Sequence, residues 1–165
     1  MWIMDFEASG LSPLSYPIEV GLTNKNIHYQ TLIYPMKHWT HWCTKAQDVH
    51  SISENQLLQK GKKSIDVARE LNTLIDKDTV YCDSVWWDRF WCNVLFSDNG
   101  IHQNFEIRDI KEILMTSEPL MVSYINAKTV LEKSGDFRVH RALDDAKIIH
   151  ASLKEAMICS GSGLT

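Results

Sequence analysis

The chain has 165 residues, 44% hydrophobic and 23% charged, and its 17 Lys and Arg against 21 Asp and Glu leave a formal net charge of -4. At roughly 150 residues per domain this predicts one folded domain over residues 1–158, with 159–165 as a frayed tail, and the apolar share excludes disorder, collagen and coiled coil. The acidic balance excludes a broad basic surface able to hold duplex nucleic acid by counterion release. No run approaches the roughly 18 apolar residues of a membrane span. Met1-Trp2-Ile3-Met4-Asp5 is too short and acidic for a signal peptide, so a cytoplasmic protein with no membrane partner is expected. Cys43, Cys82, Cys92 and Cys159 form no C-x-x-C pair and are expected as reduced thiols.

Trp2 to Phe6 is a short apolar run ended by Glu7, Ser9 and Gly10, which predicts a buried strand opening into a turn. From Ile18 to Tyr34, between Pro17 and Pro35, β-branched and aromatic residues are broken by Asn24-Lys25-Asn26 and predict a hairpin. Ser53 with Gln56 forms a capping box ahead of Leu57 and Leu58, and Gly61 ends that helix. Ser64 is expected to cap a second helix carrying Ile65, Ala68, Leu71, Leu74 and Ile75 at helical spacing. Thr79 to Cys82 predicts a buried strand, Trp86 to Phe96 an aromatic-rich helix and Phe105 to Ile110 another strand. Pro119 opens a helix to Lys133 ended by Gly135, and a last helix is expected from Arg141 to Met157. This order predicts an α/β domain with a mixed sheet.

Three places carry candidate chemistry. The period of a strand sends Asp5 and Glu7 to one face at its C-terminal end, where two carboxylates need compensation unless the strand frays into water. On the last helix, Ala142, Ala146, Ile149, Leu153, Ala156 and Met157 define the buried stripe, with Asp145 at its edge and Asp144 facing solvent. His140, one turn before Asp145, flanks the same site or is an ordinary loop histidine. Asp88 borders the apolar face of Trp86, Trp87, Phe90, Trp91 and Val94 and needs a partner, which Arg89 or a metal could supply; Asp83, at its strand end, is the rival acid. Trp86, Trp87 and Trp91 are expected in the core. Trp39 and Trp42, in a polar loop, either stack on bases or plug the sheet edge. His38, His41, Cys43 and His50 invite a zinc reading, but their spacing fits no module with two paired ligands.

Asp5-Phe6-Glu7 with Gly10-Leu11, Trp87-Asp88 at a helix start, and His140 five residues before Asp145 together resemble the three motifs of the DEDDh (DnaQ-like) 3'-5' exonucleases. This family includes ribonuclease T, oligoribonuclease and polymerase proofreading domains. Ile18-Glu19-Val20-Gly21 is similar to its second strand, and Val49-His50-Ser51-Ile52 to its His-Gly-Ile segment. The chain departs from the pattern at Ala8-Ser9, Ser51, Cys82-Asp83 and Trp87, all around the nucleotide pocket.

The resemblance implies a ribonuclease H-like fold: α/β, with a mixed sheet of about five strands flanked by helices. It implies hydrolysis at the 3' end of single-stranded RNA or short oligonucleotides, releasing nucleoside 5'-monophosphates. A DNA-directed 3'-5' exonuclease and a catalytically silent interaction module are the alternatives. Asp5, Glu7, Asp88 and Asp145 would hold two Mg²⁺ or Mn²⁺ ions about 4 Å apart. Asp5 would bridge the ions, Glu7 and Asp145 would serve the one holding the attacking water, and Asp88 would orient the other. His140, a side chain that ordinarily titrates near pH 6.5, would take the proton of that water. Gly10, Leu11, His50, Trp39 and Trp42 would bind substrate; the sequence is silent on oligomeric state, which leaves a homodimer open.

Overall fold

A computed structural model describes residues 1–160, and the end of the expected tail, residues 161–165, lies outside the described residues. The strands are β1 (Trp2–Ala8), β2 (Pro17–Thr23), β3 (His28–Tyr34), β4 (Lys62–Lys63), β5 (Thr79–Cys82) and β6 (Glu106–Asp109). The helices are α1 (Thr44–His50), α2 (Glu54–Lys60), α3 (Ser64–Ile75), α4 (Val85–Asp98), α5 (Lys111–Leu114), α6 (Glu118–Lys133) and α7 (Ala142–Cys159). The strands form one six-stranded mixed sheet in the order β4-β3-β2-β1-β5-β6. The sheet therefore has six strands where about five were expected, because β4 is only a two-residue parallel pairing of Lys62 and Lys63 with Ile33 and Tyr34. A segment so short leaves no period to read.

Alternation along β1 sorts the core. Trp2, Met4, Phe6 and Ala8 enter the larger apolar cluster, where Val67, Leu71, Trp91 and Leu95 from α3 and α4 also lie. Ile3 points to the opposite face, among Leu120 and Tyr124 of α6 and Ala146, Ile149 and Leu153 of α7. Asp5 and Glu7 follow Ile3 at period 2 and so share the face under α7. β1 does not fray: it stays paired with β2 through Ala8.

Several local expectations shift. The Ser53–Gln56 capping box is formed in both directions. Ser64 does not cap α3; Lys63 occupies that position and the Ser64 hydroxyl donates to Asn99 instead. α1 lacks a side-chain cap at Cys43, so nothing in its sequence marks its start. It ends at Ser51 with φ 57°, the left-handed conformation for which glycine, the residue of the resembled segment, is the usual choice. α7 runs through Cys159, past the expected start of the tail. All four cysteines are free. Among the described residues no helix is long and apolar enough to cross a membrane.

Gly21 sets the distance between sheet and helix. A Cβ there would lie 2.1 Å from the Ala142 carbonyl carbon and 2.2 Å from the Leu143 nitrogen, both backbone atoms of the first turn of α7. Because backbone cannot swing aside as a side chain can, Gly21→Ala is expected to destabilise the fold by about 3 kcal/mol, at the upper end for overpacking. Chemical denaturation of the variant checks this; an unchanged midpoint would mean that α7 shifts freely on the sheet.

Candidate active site

β1 and β5 run parallel, so their C-terminal ends open on the same edge of the sheet, the place where open α/β sheets bind ligands. A cavity of about 480 Å³ opens there and is lined by Asp5 and Glu7 of β1, Asp83 and Asp88 around the start of α4, Lys128 of α6, and His140 and Asp145 at the start of α7. Their ligand atoms fall into two groups, each with mutual separations within 4.8 Å: Glu7, His140 and Asp145 in one, Asp5, Asp83 and Asp88 in the other. The five residues expected to carry chemistry are thus brought together, and Asp83 joins them.

Asp88 and Asp83 of the second group are held differently. Asp88 is only 1% exposed. Its Oδ1 accepts from the Phe6 amide at 3.2 Å, while Oδ2 is buried without an N–H or O–H donor. Arg89 does not neutralise it, since that guanidinium donates to the Ile107 carbonyl. Asp83 already has a counter-ion, with Lys128 Nζ 2.5 Å from its Oδ2 and Glu132 3.7 Å from the same ammonium. Burial opposes the charge on Lys128, but Asp83 more than restores it, and its pKa is raised.

The first group depends on how α7 begins. Glu19 of β2 is fully buried and accepts from Arg141 Nε at 3.0 Å, Arg141 Nη2 at 2.5 Å, Gln30 Nε2 at 2.9 Å and the Ala142 amide at 3.1 Å. This clamp, together with the close approach at Gly21, seats the helix start on β2. His140 then adopts φ 64°, a strained conformation for a residue with a Cβ, and its amide donates to Asp145 Oδ2 at 2.9 Å. Asp144 has the separate position expected of it: its Oδ2 accepts from the Arg138 amide at 3.1 Å and orders the preceding loop.

Crowding of like charge dominates the electrostatics. Burial raises the Asp5 pKa well above the usual carboxylate range, and the charges of Asp88, Glu7, Asp145 and Asp83 add to the effect. Glu7 is pushed up to about 8 by burial and by Asp145 and Glu19. Asp88 is also raised, by burial and by Asp83. Asp145 rises to about 6, chiefly through burial, although the His140 amide opposes the shift. Such a set resists full ionisation without cations among the oxygens.

Of the five positions expected to bind substrate, Gly10, Leu11 and His50 line the same cavity. Leu11 is 72% exposed at the rim, and His50 is buried with Nδ1 accepting from the Ile52 amide at 3.0 Å. Trp39 does not join them: it is 7% exposed, stacks on Tyr16 with ring centroids 5.2 Å apart and donates to Asp98 at 2.6 Å. The plug reading therefore holds for Trp39, and a base-stacking role is corrected. Trp42 packs edge-on to His50 and donates to Gln47, also outside the cavity lining. Of the three tryptophans of α4, Trp91 is buried, Trp87 lines the cavity and Trp86 is 77% exposed, so the core assignment fails for Trp86. The loop histidines separate, His38 to Asp98 and His41 to Ser9, and no zinc cluster forms there among the described residues. Sequence reasoning missed Lys128 and the Glu19–Arg141 clamp; the four-residue spacing of Tyr124, Lys128 and Glu132 was the available signal for the former.

No family model and no curated protein matches the sequence. Solved structures do match. Escherichia coli Exonuclease I in complex with a dA16 oligonucleotide aligns with a TM-score of 0.78 at 14% identity, covering 98% of this chain and 41% of that one. The zinc-bound Exonuclease I–ssDNA complex from E. coli aligns at 0.76 and 16% identity, covering 95% and 40%. A moderately thermophilic Exonuclease I from Methylocaldum szegediense aligns at 0.74 and 13% identity, covering 94% and 39%. The chain spans about two fifths of the length of these neighbours, and over that span it shares their ribonuclease H-like fold.

Proposed function

We propose that the protein is a divalent-metal-dependent 3'-5' exonuclease that removes nucleoside 5'-monophosphates from single-stranded nucleic acid. The observation that carries the reading is the convergence of Asp5, Glu7, Asp88 and Asp145 on one cavity with His140 beside them. The Exonuclease I neighbours, solved with DNA oligonucleotides, support the same class of chemistry.

The donor set fits hard divalent cations. Asp88 Oδ2 is a buried acceptor without an N–H or O–H donor, and the raised carboxyl groups are those that positive charge would ionise. Asp5, Glu7, Asp88 and Asp145 would hold Mg²⁺ or Mn²⁺, two ions in all, supplying neutralisation and polarisation of the scissile phosphate. The remaining steps belong to the chain. His140, exposed on its strained turn beside Glu7 and Asp145, accepts the proton of the attacking water. The water oxygen bonds to phosphorus, the P–O3' bond breaks, and its electron pair leaves with the 3' oxygen of the shortened strand. Leu11 and the segment from Gly10 contact the terminal nucleotide at the rim.

End-labelled single-stranded RNA and DNA, incubated with Mg²⁺ or Mn²⁺, should shorten from the 3' end, and a chelator should stop it. If neither strand shortens, the reading fails. His140→Ala should lower turnover about 10²- to 10⁴-fold while keeping the metal-induced rise in Tm. Unchanged turnover would remove the proton-acceptor role.

The metal-free protein should also respond to pH in a defined direction. Glu7 and Asp145 bind protons more tightly folded than unfolded, with folded values of about 8 and about 6 against ordinary values near 4. The folded state is therefore favoured at low pH, and stability falls as pH rises from about 4 to about 8. Saturating Mn²⁺, at about 100 times its Kd, should restore about 2.7 kcal/mol at pH 8, or about 5–10 °C in Tm, and much less at pH 5. Thermal melts with and without the ion check this; a metal effect independent of pH would place its binding outside these carboxylates.

A further inference from the structure

A second cavity, of about 330 Å³, adjoins the first and shares Asp83, Lys128 and Glu132 with it. Tyr124, Lys128 and Glu132 follow one another at four-residue intervals, so a single stripe of α6 lines it, and Ile110, Leu114 and Ile125 supply apolar walls. Lys111 and Lys128 balance Asp83 and Glu132, which leaves no surplus cation for a bare phosphate. The Tyr124 side chain is unusual here. It is only 5% exposed, yet its hydroxyl has no hydrogen-bond partner. Burial and the neighbouring Asp83, Glu132 and Asp109 hold that hydroxyl protonated, so it is available as a donor. An unpaired buried hydroxyl opposes folding, and a hydroxyl-bearing ligand in the cavity would remove the deficit.

The position of the cavity fixes which part of the substrate reaches it. His140 lies with Glu7 and Asp145, so the attacking water enters on that side. In-line displacement then puts the leaving 3' oxygen on the other side, with Asp5, Asp83 and Asp88. That oxygen belongs to the sugar of the penultimate nucleotide, and Asp83 also lines the second cavity. The carbon next to the one bearing the leaving oxygen carries a hydroxyl in RNA and only hydrogen in DNA. We propose that the second cavity receives the ribose of the penultimate nucleotide and that the Tyr124 hydroxyl hydrogen-bonds its 2'-hydroxyl, making the protein an exoribonuclease. This rests on the phosphodiesterase reading above.

The test compares kcat/KM for a diribonucleotide and its deoxy counterpart with Mn²⁺, in wild type and Tyr124→Phe. Wild type should favour the diribonucleotide, and Tyr124→Phe should lower the ribo-to-deoxy ratio about tenfold, the worth of one good hydrogen bond. Its Tm should not fall below that of wild type, because the hydroxyl has no protein partner to lose. A wild type without ribo preference, or a ratio unmoved by the variant, overturns the sugar site while leaving the exonuclease intact. Metal-dependent cleavage of neither dinucleotide overturns the phosphodiesterase reading and the sugar site with it.

Discussion

The site depends on one contact, the seating of the first turn of α7 on β2. Gly21 lets two backbones approach as no other residue would, and Glu19 holds them there through four donors, three from side chains and one from the helix itself. A fully buried carboxylate is costly to desolvate, and such pairs are often no more stabilising than an apolar substitute. What this one supplies is position. Arg141 is the residue between His140 and Ala142, so fixing its guanidinium and the Ala142 amide fixes the strained turn at His140 and the direction of Asp145. Glu19 and Arg141 thus act as positioning residues, and their charges also bear on Glu7 in opposite senses, Glu19 raising its pKa and Arg141 lowering it.

A second constraint follows from the first. Once α7 is seated, Asp145 faces Glu7, and the geometry of β1 and β5 brings Asp5 to Asp83 and Asp88. The fold thus holds six carboxyl groups in one cavity and raises four of them, Asp5, Glu7, Asp88 and Asp145. The apolar clusters on the two faces of the sheet supply the stability that tolerates this repulsion.

Elements with a repeating pattern were legible in the sequence. The hairpin of β2 and β3, the capping box at Ser53 and the long helices α6 and α7 fall close to where their periodicity places them. β4 and the single turn of α5 are too short to carry a period, and α1 begins without a cap. In the site, Asp5 and Glu7 were legible because strand alternation needs no tertiary information, and Asp145 because its angle on the helix already set it apart from Asp144. Asp83 and Lys128 were not, since their pairing joins residues 45 apart that only the tertiary packing of α6 brings together. Trp39 was ambiguous for the same reason: a tryptophan in a polar loop looks exposed until Tyr16 and Asp98, both distant in sequence, are seen to meet it.

Acidity also orders the proposed reaction. Among the residues lining the cavity Lys128 is the only lysine or arginine, and Asp83 already engages it. A phosphodiester approaching the metal-free site therefore meets a cluster of acids with no free cation among them, and nothing there offsets its own negative charge. Tight binding of substrate and binding of divalent cation become one coupled event. Under the proposed reaction the same logic favours a strand end: Leu11 and Trp87 line the cavity that one terminal unit would enter, while a chain of net charge -4 offers the rest of a long strand no broad electrostatic hold.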